Sequence, residues 1–98
     1  MEFEFPVGAE EPHRVWFRYR RLTNTVRIGV DGEQIERDIF WVRIPASRRY
    51  QFEVGQSERH DVIIYASFPR MAAKFSDPDC QVWIDGQLRF DYGELTPA

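Results

Sequence analysis

The segment FEFPVGAEEPHRV at residues 3–15 recurs as YQFEVGQSERHDV at residues 50–62, without a gap and at an offset of 47. Ordinary residue usage gives roughly one identity in thirteen aligned positions. Here there are six: Phe5/Phe52, Val7/Val54, Gly8/Gly55, Glu11/Glu58, His13/His60 and Val15/Val62. Sequence repeats usually fold as structural repeats. We therefore expect this chain of 98 residues to contain two similar units.

The apolar residues alternate with a period of two, which is typical of half-buried β-strands. The helical i, i+3, i+4, i+7 pattern is not sustained over three turns anywhere in the sequence. Strands are predicted at VWFRYR (15–20), VRIGV (26–30), IFWVRI (39–44), DVIIYA (61–66) and VWI (82–84). Because DVIIYA is apolar on both faces, we expect it to be a central strand.

Two hairpins are predicted at Asp31-Gly32 and Asp85-Gly86, because Asp-Gly supplies the positive φ angles of a two-residue type I′ turn. The segments around these hairpins align at an offset of 54 instead of 47, so the second unit carries extra residues. They fall in the irregular stretch 69–79. The two units then run from 3–44 and from 50–92, and the tail 93–98 is expected to fray.

A four-stranded unit of this size is too small to bury its apolar face alone. Two such faces pressed together form the core of a sandwich. The sequence therefore predicts one all-β domain spanning residues 1–98. Its fold is expected to be an antiparallel β-sandwich of seven to nine strands, built from two pseudo-repeated four-stranded units.

Four runs in this order, HRVWFRYRRLTNTVRIGVDGEQI, DIFWVRI, YQFEVG and VWIDGQLRF, are similar to the Fas apoptotic inhibitory molecule family. The resemblance covers about residues 3–92 and implies an all-β fold without a catalytic motif. Animal members carry two such domains and modulate death-receptor signalling without enzymatic activity. This chain has the length of one domain, and its arginine bias suggests a bacterial source. We therefore do not carry the apoptotic role over to this single-domain relative.

Composition narrows the class of protein. A net charge of −3 is not that of a general polyanion binder. No apolar run reaches the length of a membrane span, and the N-terminus does not resemble a secretory signal. A lone cysteine, Cys80, cannot form an internal disulfide. We expect a cytoplasmic protein that neither binds a membrane nor carries a cofactor.

His13, His60 and Cys80 are the residues from which a metal site or an acid/base pair could be built. The repeat offers a simpler interpretation for the histidines, since both open a strand at matched positions and can hydrogen-bond to a backbone group of a turn. Cys80 follows SDPD, whose carboxylates would raise the thiol pKa, so we expect a small buried hydrophobic residue there. No catalytic motif or metal-binding spacing is present, and an enzyme is not expected.

One predicted strand face carries Arg14, Trp16, Arg18 and Arg20, opposite the apolar face of the same strand. Three interpretations are open. The face can be a stacking ladder with acidic cross-strand partners that serves only the sheet. It can be a protein interface, including a homodimer or an added strand at an open sheet edge. It can also be a surface on which nucleobases stack, and nucleic-acid binding is therefore the alternative function. We nevertheless expect a protein partner or a second copy of the chain, not a nucleic acid.

Overall fold

A computed structural model describes residues 1–20, 23, 25–39, 47–68 and 79–92 of the chain. Eight β-strands account for most of these residues: β1 Glu2–Val7, β2 His13–Arg20, β3 Thr25–Val30, β4 Glu33–Ile39, β5 Ser47–Val54, β6 His60–Ser67, β7 Asp79–Ile84 and β8 Gln87–Tyr92. No helix in this part of the chain has the length and apolar character needed to cross a membrane.

The strands form two four-stranded sheets, with the orders β1-β2-β3-β4 and β5-β6-β7-β8. The pairings whose registers are defined, β1-β2, β2-β3, β3-β4, β6-β7 and β7-β8, are all antiparallel. For the residues that the structure describes, the prediction of an all-β fold with seven to nine strands in two four-stranded units is confirmed. The chain divides into two compact units, Met1–Arg43 with Val54–Arg59 and Ile44–Glu53 with His60–Ala98.

In the first sheet, alternation places the apolar side chains on one buried face. Phe17 lies opposite Phe3 on β1 and opposite Ile28 on β3, so three strands contribute to one row. The rings of Phe3 and Phe17 stack with 4.9 Å between their centroids. The buried set of this sheet is Phe3, Phe5, Val7, Val15, Phe17, Val26 and Ile28. Full burial of each large side chain contributes about 1.5–3 kcal/mol.

The second sheet buries Tyr50, Val54, Val62, Ile64, Ala66, Cys80, Val82 and Ile84. Strand β6 lies between β5 and β7, which confirms that DVIIYA is a central strand. Its second face is less protected than the apolar pattern indicates, since Tyr65 is 41% exposed. The expectation that Cys80 is buried is confirmed.

The two Asp-Gly hairpins have almost the same geometry. Asp31 and Gly32 have φ angles of 52° and 84°, and Asp85 and Gly86 have φ angles of 51° and 80°. These positive angles confirm the predicted turn chemistry. The strand pairing of each hairpin contains a register shift close to the turn, between Ile28 and Gly29 in β3-β4 and between Val82 and Trp83 in β7-β8.

The strand that follows the first hairpin spans Glu33–Ile39, a segment in which the apolar pattern does not predict a strand. The predicted strand IFWVRI at 39–44 shares only Ile39 with it, and the rest of that prediction falls on residues that are not described. Strand β4 escapes the apolar-alternation criterion because it is an edge strand whose residues Glu33–Arg37 are all exposed. Residues 40–44, most of the stretch 69–79 and the tail 93–98 lie outside the described residues.

Candidate functional site

Two glycine turns hold a pair of crossed glutamates. Gly8 and Gly55 have φ angles of 97° and 99°, a left-handed conformation that suits glycine. The turn after Gly8 directs three successive backbone N–H groups at the carboxylate of Glu58. These groups belong to Ala9, Glu10 and Glu11, at 3.0, 2.7 and 2.8 Å. Successive amides of this kind form an anion-binding concavity, and here the anion is the side chain of the other turn.

The turn after Gly55 reciprocates. Its amides donate to the carboxylate of Glu11, from Gln56 at 2.8 Å, Ser57 at 2.7 Å and Glu58 at 3.3 Å. Each glutamate therefore satisfies the backbone donors of the turn that contains its counterpart. The identity of Glu11 and Glu58 in the aligned segments was the sequence signal for this arrangement, but the alignment gives no indication that the two meet.

His13 lies between two carboxylates. Its Nδ1 donates to Asp31 Oδ2 at 2.5 Å, and its Nε2 donates to Glu11 Oε2 at 2.6 Å. Ionised carboxylates only accept hydrogen bonds, so this geometry favours the imidazolium form of the ring, in which both nitrogens carry protons. The hydrogen bond to Asp31, then the one to Glu11, raises the pKa of His13 above its ordinary 6.5.

The same contacts act on the acids. The hydrogen bond from His13, followed by the Gln56 and Ser57 amides, lowers the pKa of Glu11 from 4.5 to about 2. The pKa of Asp31 is lowered by His13 and then by the backbone N–H of Arg14, which is 2.9 Å from Asp31 Oδ1. The cluster is therefore an ionic network over the mildly acidic range.

The second unit repeats the hairpin part of this network. His60 Nδ1 donates to Asp85 Oδ2 at 2.6 Å, and the Asp61 amide donates to Asp85 Oδ1 at 2.9 Å. These two contacts, His60 first, lower the pKa of Asp85. The expected histidine partner was a backbone group of a turn. In each unit the ring contacts the hairpin aspartate, which lies beside the start of the strand that pairs with the first strand of the hairpin, β2 in the first sheet and β6 in the second.

We predict that stability falls at alkaline pH through His13. Its pKa is raised on folding, so its contribution is complete below about pH 6.5 and is lost as pH rises through the folded-state value. The urea midpoint of His13→Gln should therefore change less between pH 6 and 9 than that of the wild type. Equal slopes for the two proteins over this range would show that His13 does not contribute in this way.

At acid pH the sign is reversed. The pKa of Glu11 is lowered on folding, so its contribution is complete above about pH 4.5 and is lost as pH falls toward 2. Stability from this cluster is therefore expected to be greatest between about pH 4.5 and 6.5.

The other candidate catalytic groups are separated. Cys80 on β7 is fully buried and lies opposite Ala66 on β6. His60 is the first residue of β6, six residues before Ala66. At about 3.3 Å per residue, this is roughly 20 Å along the strand. Within the described ranges, no group of three or more His, Cys, Asp or Glu side chains is arranged to hold a metal ion.

The face predicted to carry Arg14, Trp16, Arg18 and Arg20 is the outer face of the first sheet, opposite the buried set. Two of its arginines contact acids on β1: Arg14 Nε is 2.9 Å from Glu4 Oε1, and Arg18 Nε is 2.5 Å from Glu2 Oε2. The guanidinium of Arg18 also lies over the Trp16 ring, 4.9 Å from its centroid. Arg20 is exposed at the end of β2.

The indole of Trp16 is half-buried within the sheet. It covers Gly29, its cross-strand partner, so closely that a Cβ at position 29 would clash with the ring atoms. The contacts with Gly29 and Arg18 cover part of the indole ring. Less of the ring is therefore accessible to a partner than the strand pattern indicates. A base could stack on this indole only if Arg18 moved.

The outer face carries two further arginines, Arg27 and Arg37, that the alternation pattern of a single strand does not indicate. Arg18 pairs with Arg27 on β3, and Arg27 pairs with Arg37 on β4, all on the outer face. We call Arg18, Arg27 and Arg37 the arginine row. Directly opposite residues have Cβ atoms about 4.5–5.5 Å apart, and like charges in such pairs destabilise a sheet.

The fold does not require the arginine row. At an offset of 47 on β2 and 54 on β3 and β4, the matched positions of the second sheet are Tyr65, Gln81 and Asp91, which also pair in register. None of these three is basic. A sheet of the same pairing and bulge is therefore built without three adjacent arginines.

Comparison with known proteins finds no family model, no curated protein and no solved structure that matches this chain.

Proposed function

We propose that this chain is a non-catalytic interaction module that binds a protein partner through the outer face of its first sheet. The arginine row carries the proposal. It concentrates like charge at a cost to the sheet, and the matched row of the second sheet dispenses with it. Among the described strand residues, this face bears five arginines and two glutamates, although the chain is net acidic.

A non-catalytic role agrees with the contacts of two of the three candidate groups, His13 and Cys80. Both ring nitrogens of His13 are engaged by carboxylates, and the thiol of Cys80 is buried. A ring held in this way is an anchor for two turns, since neither nitrogen is free to take a proton from a substrate.

We further propose that the chain is a single-domain, cytoplasmic relative of the Fas apoptotic inhibitory molecule family, built from two repeats. The order of its strand and hairpin motifs supports the family assignment. The matched φ angles of the glycine and Asp-Gly turns, and the matched histidine–aspartate contacts, support the repeat. A bacterial source agrees with one lysine among thirteen basic residues.

We predict that the arginine row controls binding of an acidic ligand. The probe is a fluorescein-labelled nine-residue peptide in which glutamate alternates with threonine, followed by fluorescence anisotropy. The double variant Arg27→Gln/Arg37→Gln should bind at least about tenfold more weakly than the wild type, because a charge-assisted hydrogen bond contributes about 1.5–3 kcal/mol. Raising the salt concentration should weaken wild-type binding.

The control is Arg59→Gln/Arg89→Gln, which makes the same change in net charge at two exposed positions off this face. It should stay within about twofold of the wild type. An equal loss in both double variants, or in neither, would contradict the proposal. Tighter binding of an unlabelled oligothymidine than of the peptide would favour the nucleic-acid function instead.

A further inference from the structure

The arginine row is closed at one end and open at the other. On β1, Glu2 pairs with Arg18 in register and contacts its guanidinium, so the row begins with a carboxylate. On the far side, Arg37 lies on β4, which is the last strand of the sheet. No described strand continues the row beyond Arg37.

The side chains of β4 are exposed to solvent, as expected for an edge strand that can pair with an additional strand. All side chains from Glu33 to Arg37 are exposed, and Ile35 is an exposed large hydrophobic residue at 43%. An edge strand offers backbone N–H and C=O groups to an extended chain, and side chains select which chain is accepted.

We propose that β4 accepts an extended acidic segment of a partner protein as a fifth strand, with a carboxylate placed opposite Arg37. This inference rests on the proposed function and specifies its partner. The row would then read carboxylate, three arginines, carboxylate, and an acid on the open side would offset the like charges of the cross-strand pair Arg27 and Arg37.

The other face of β4 determines which residues are favoured between the acidic ones in the partner segment. Glu33 and Glu36 lie opposite Val30 and Ile28, on the reverse side from Arg37. A uniformly acidic partner would place half of its carboxylates against these two. The preferred segment therefore alternates an acidic residue with an uncharged or basic one, as extended strands present alternate side chains to opposite faces.

We predict that binding requires backbone hydrogen bonds along one edge of the peptide. Two versions of the glutamate–threonine peptide are compared, one N-methylated at every glutamate and one at every threonine. In a strand, the N–H groups of alternate residues point to opposite edges. One methylated series should therefore lose at least tenfold in affinity, and the other should bind within about threefold of the unmodified peptide.

A block peptide of five glutamates followed by four threonines is the control for general attraction, and it should bind more weakly than the alternating peptide. If both methylated series bind normally while Arg27→Gln/Arg37→Gln still weakens binding, the arginine face stands and strand addition is overturned. If the arginine variant has no effect either, the proposed function fails with it. Protein that self-associates as concentration rises, and thereby releases the peptide, would overturn the inference in favour of a second copy.

Discussion

Replacing Gly55 by alanine should lower the free energy of unfolding by about 3 kcal/mol or more, from left-handed strain together with a forced backbone shift. Gly55 has a φ of 99°, and an added Cβ would clash with the carbonyl oxygen of Glu58. It would also be 3.3 Å from Glu11 Oε2, so the substitution disturbs the packing of the crossed glutamates. Urea denaturation followed by tryptophan fluorescence measures the effect.

Gly86→Ala is the matched control. Gly86 also has a positive φ, 80°, but nothing lies within 4 Å of a Cβ built there. Its cost should be that of the left-handed conformation alone, about 1 kcal/mol. Equal losses of unfolding free energy at positions 55 and 86 would show that the close approach of the Glu58 carbonyl to Gly55 adds nothing to the cost of the substitution.

A second large effect is expected from exchanging an indole between strands. In the first sheet Trp16 on β2 covers Gly29 on β3, whereas in the second sheet Ile63 on β6 lies opposite Trp83 on β7. Gly29→Trp alone should cost about 2–3 kcal/mol, because two indoles would compete for one space. The double variant Trp16→Ile/Gly29→Trp reproduces the pair of the second sheet and should recover most of that loss.

Thermal or urea unfolding of the wild type, the two single variants and the double variant gives the coupling energy between positions 16 and 29. Recovery in the double variant would show that the two sheets are interchangeable at this cross-strand pair. Additive losses, with the double variant the least stable of the four proteins, would contradict that equivalence.

Much of the fold follows from local chemistry in the sequence. The Asp-Gly turns are predictable because few dipeptides tolerate two successive positive φ angles, and the central strand β6 is predictable from its apolar faces. Strand β4 is not, because an edge strand gains little from burial and its residues Glu33–Arg37 can all be polar or exposed.

The candidate site was only half predictable, and a single bulge explains why. Counting outward from the Asp31-Gly32 turn in regular register pairs Val30 with Glu33 and would pair Arg27 with Glu36, an ordinary ion pair. The register shift after Gly29 moves Arg27 onto Arg37 instead. The local sequence does not indicate that β4 carries an extra residue at this bulge. The arginine row can therefore be recognised only from the pairing in the folded sheet.

The crossed glutamates illustrate a different limit. Their identity at aligned positions was evident in the sequence, and so was the glycine that precedes each by three residues. The exchange of carboxylates between two turns 47 residues apart is a tertiary contact. Sequence pattern alone carries no information on which turn meets which.

Amide hydrogen exchange with and without the glutamate–threonine peptide shows whether β4 and the arginine row form the contact surface. We predict that added protection concentrates in Glu33–Ile39, with the amides of β5–β8 unchanged. Protection confined to the second sheet, or peptide binding with no new protection in β4, would contradict this prediction.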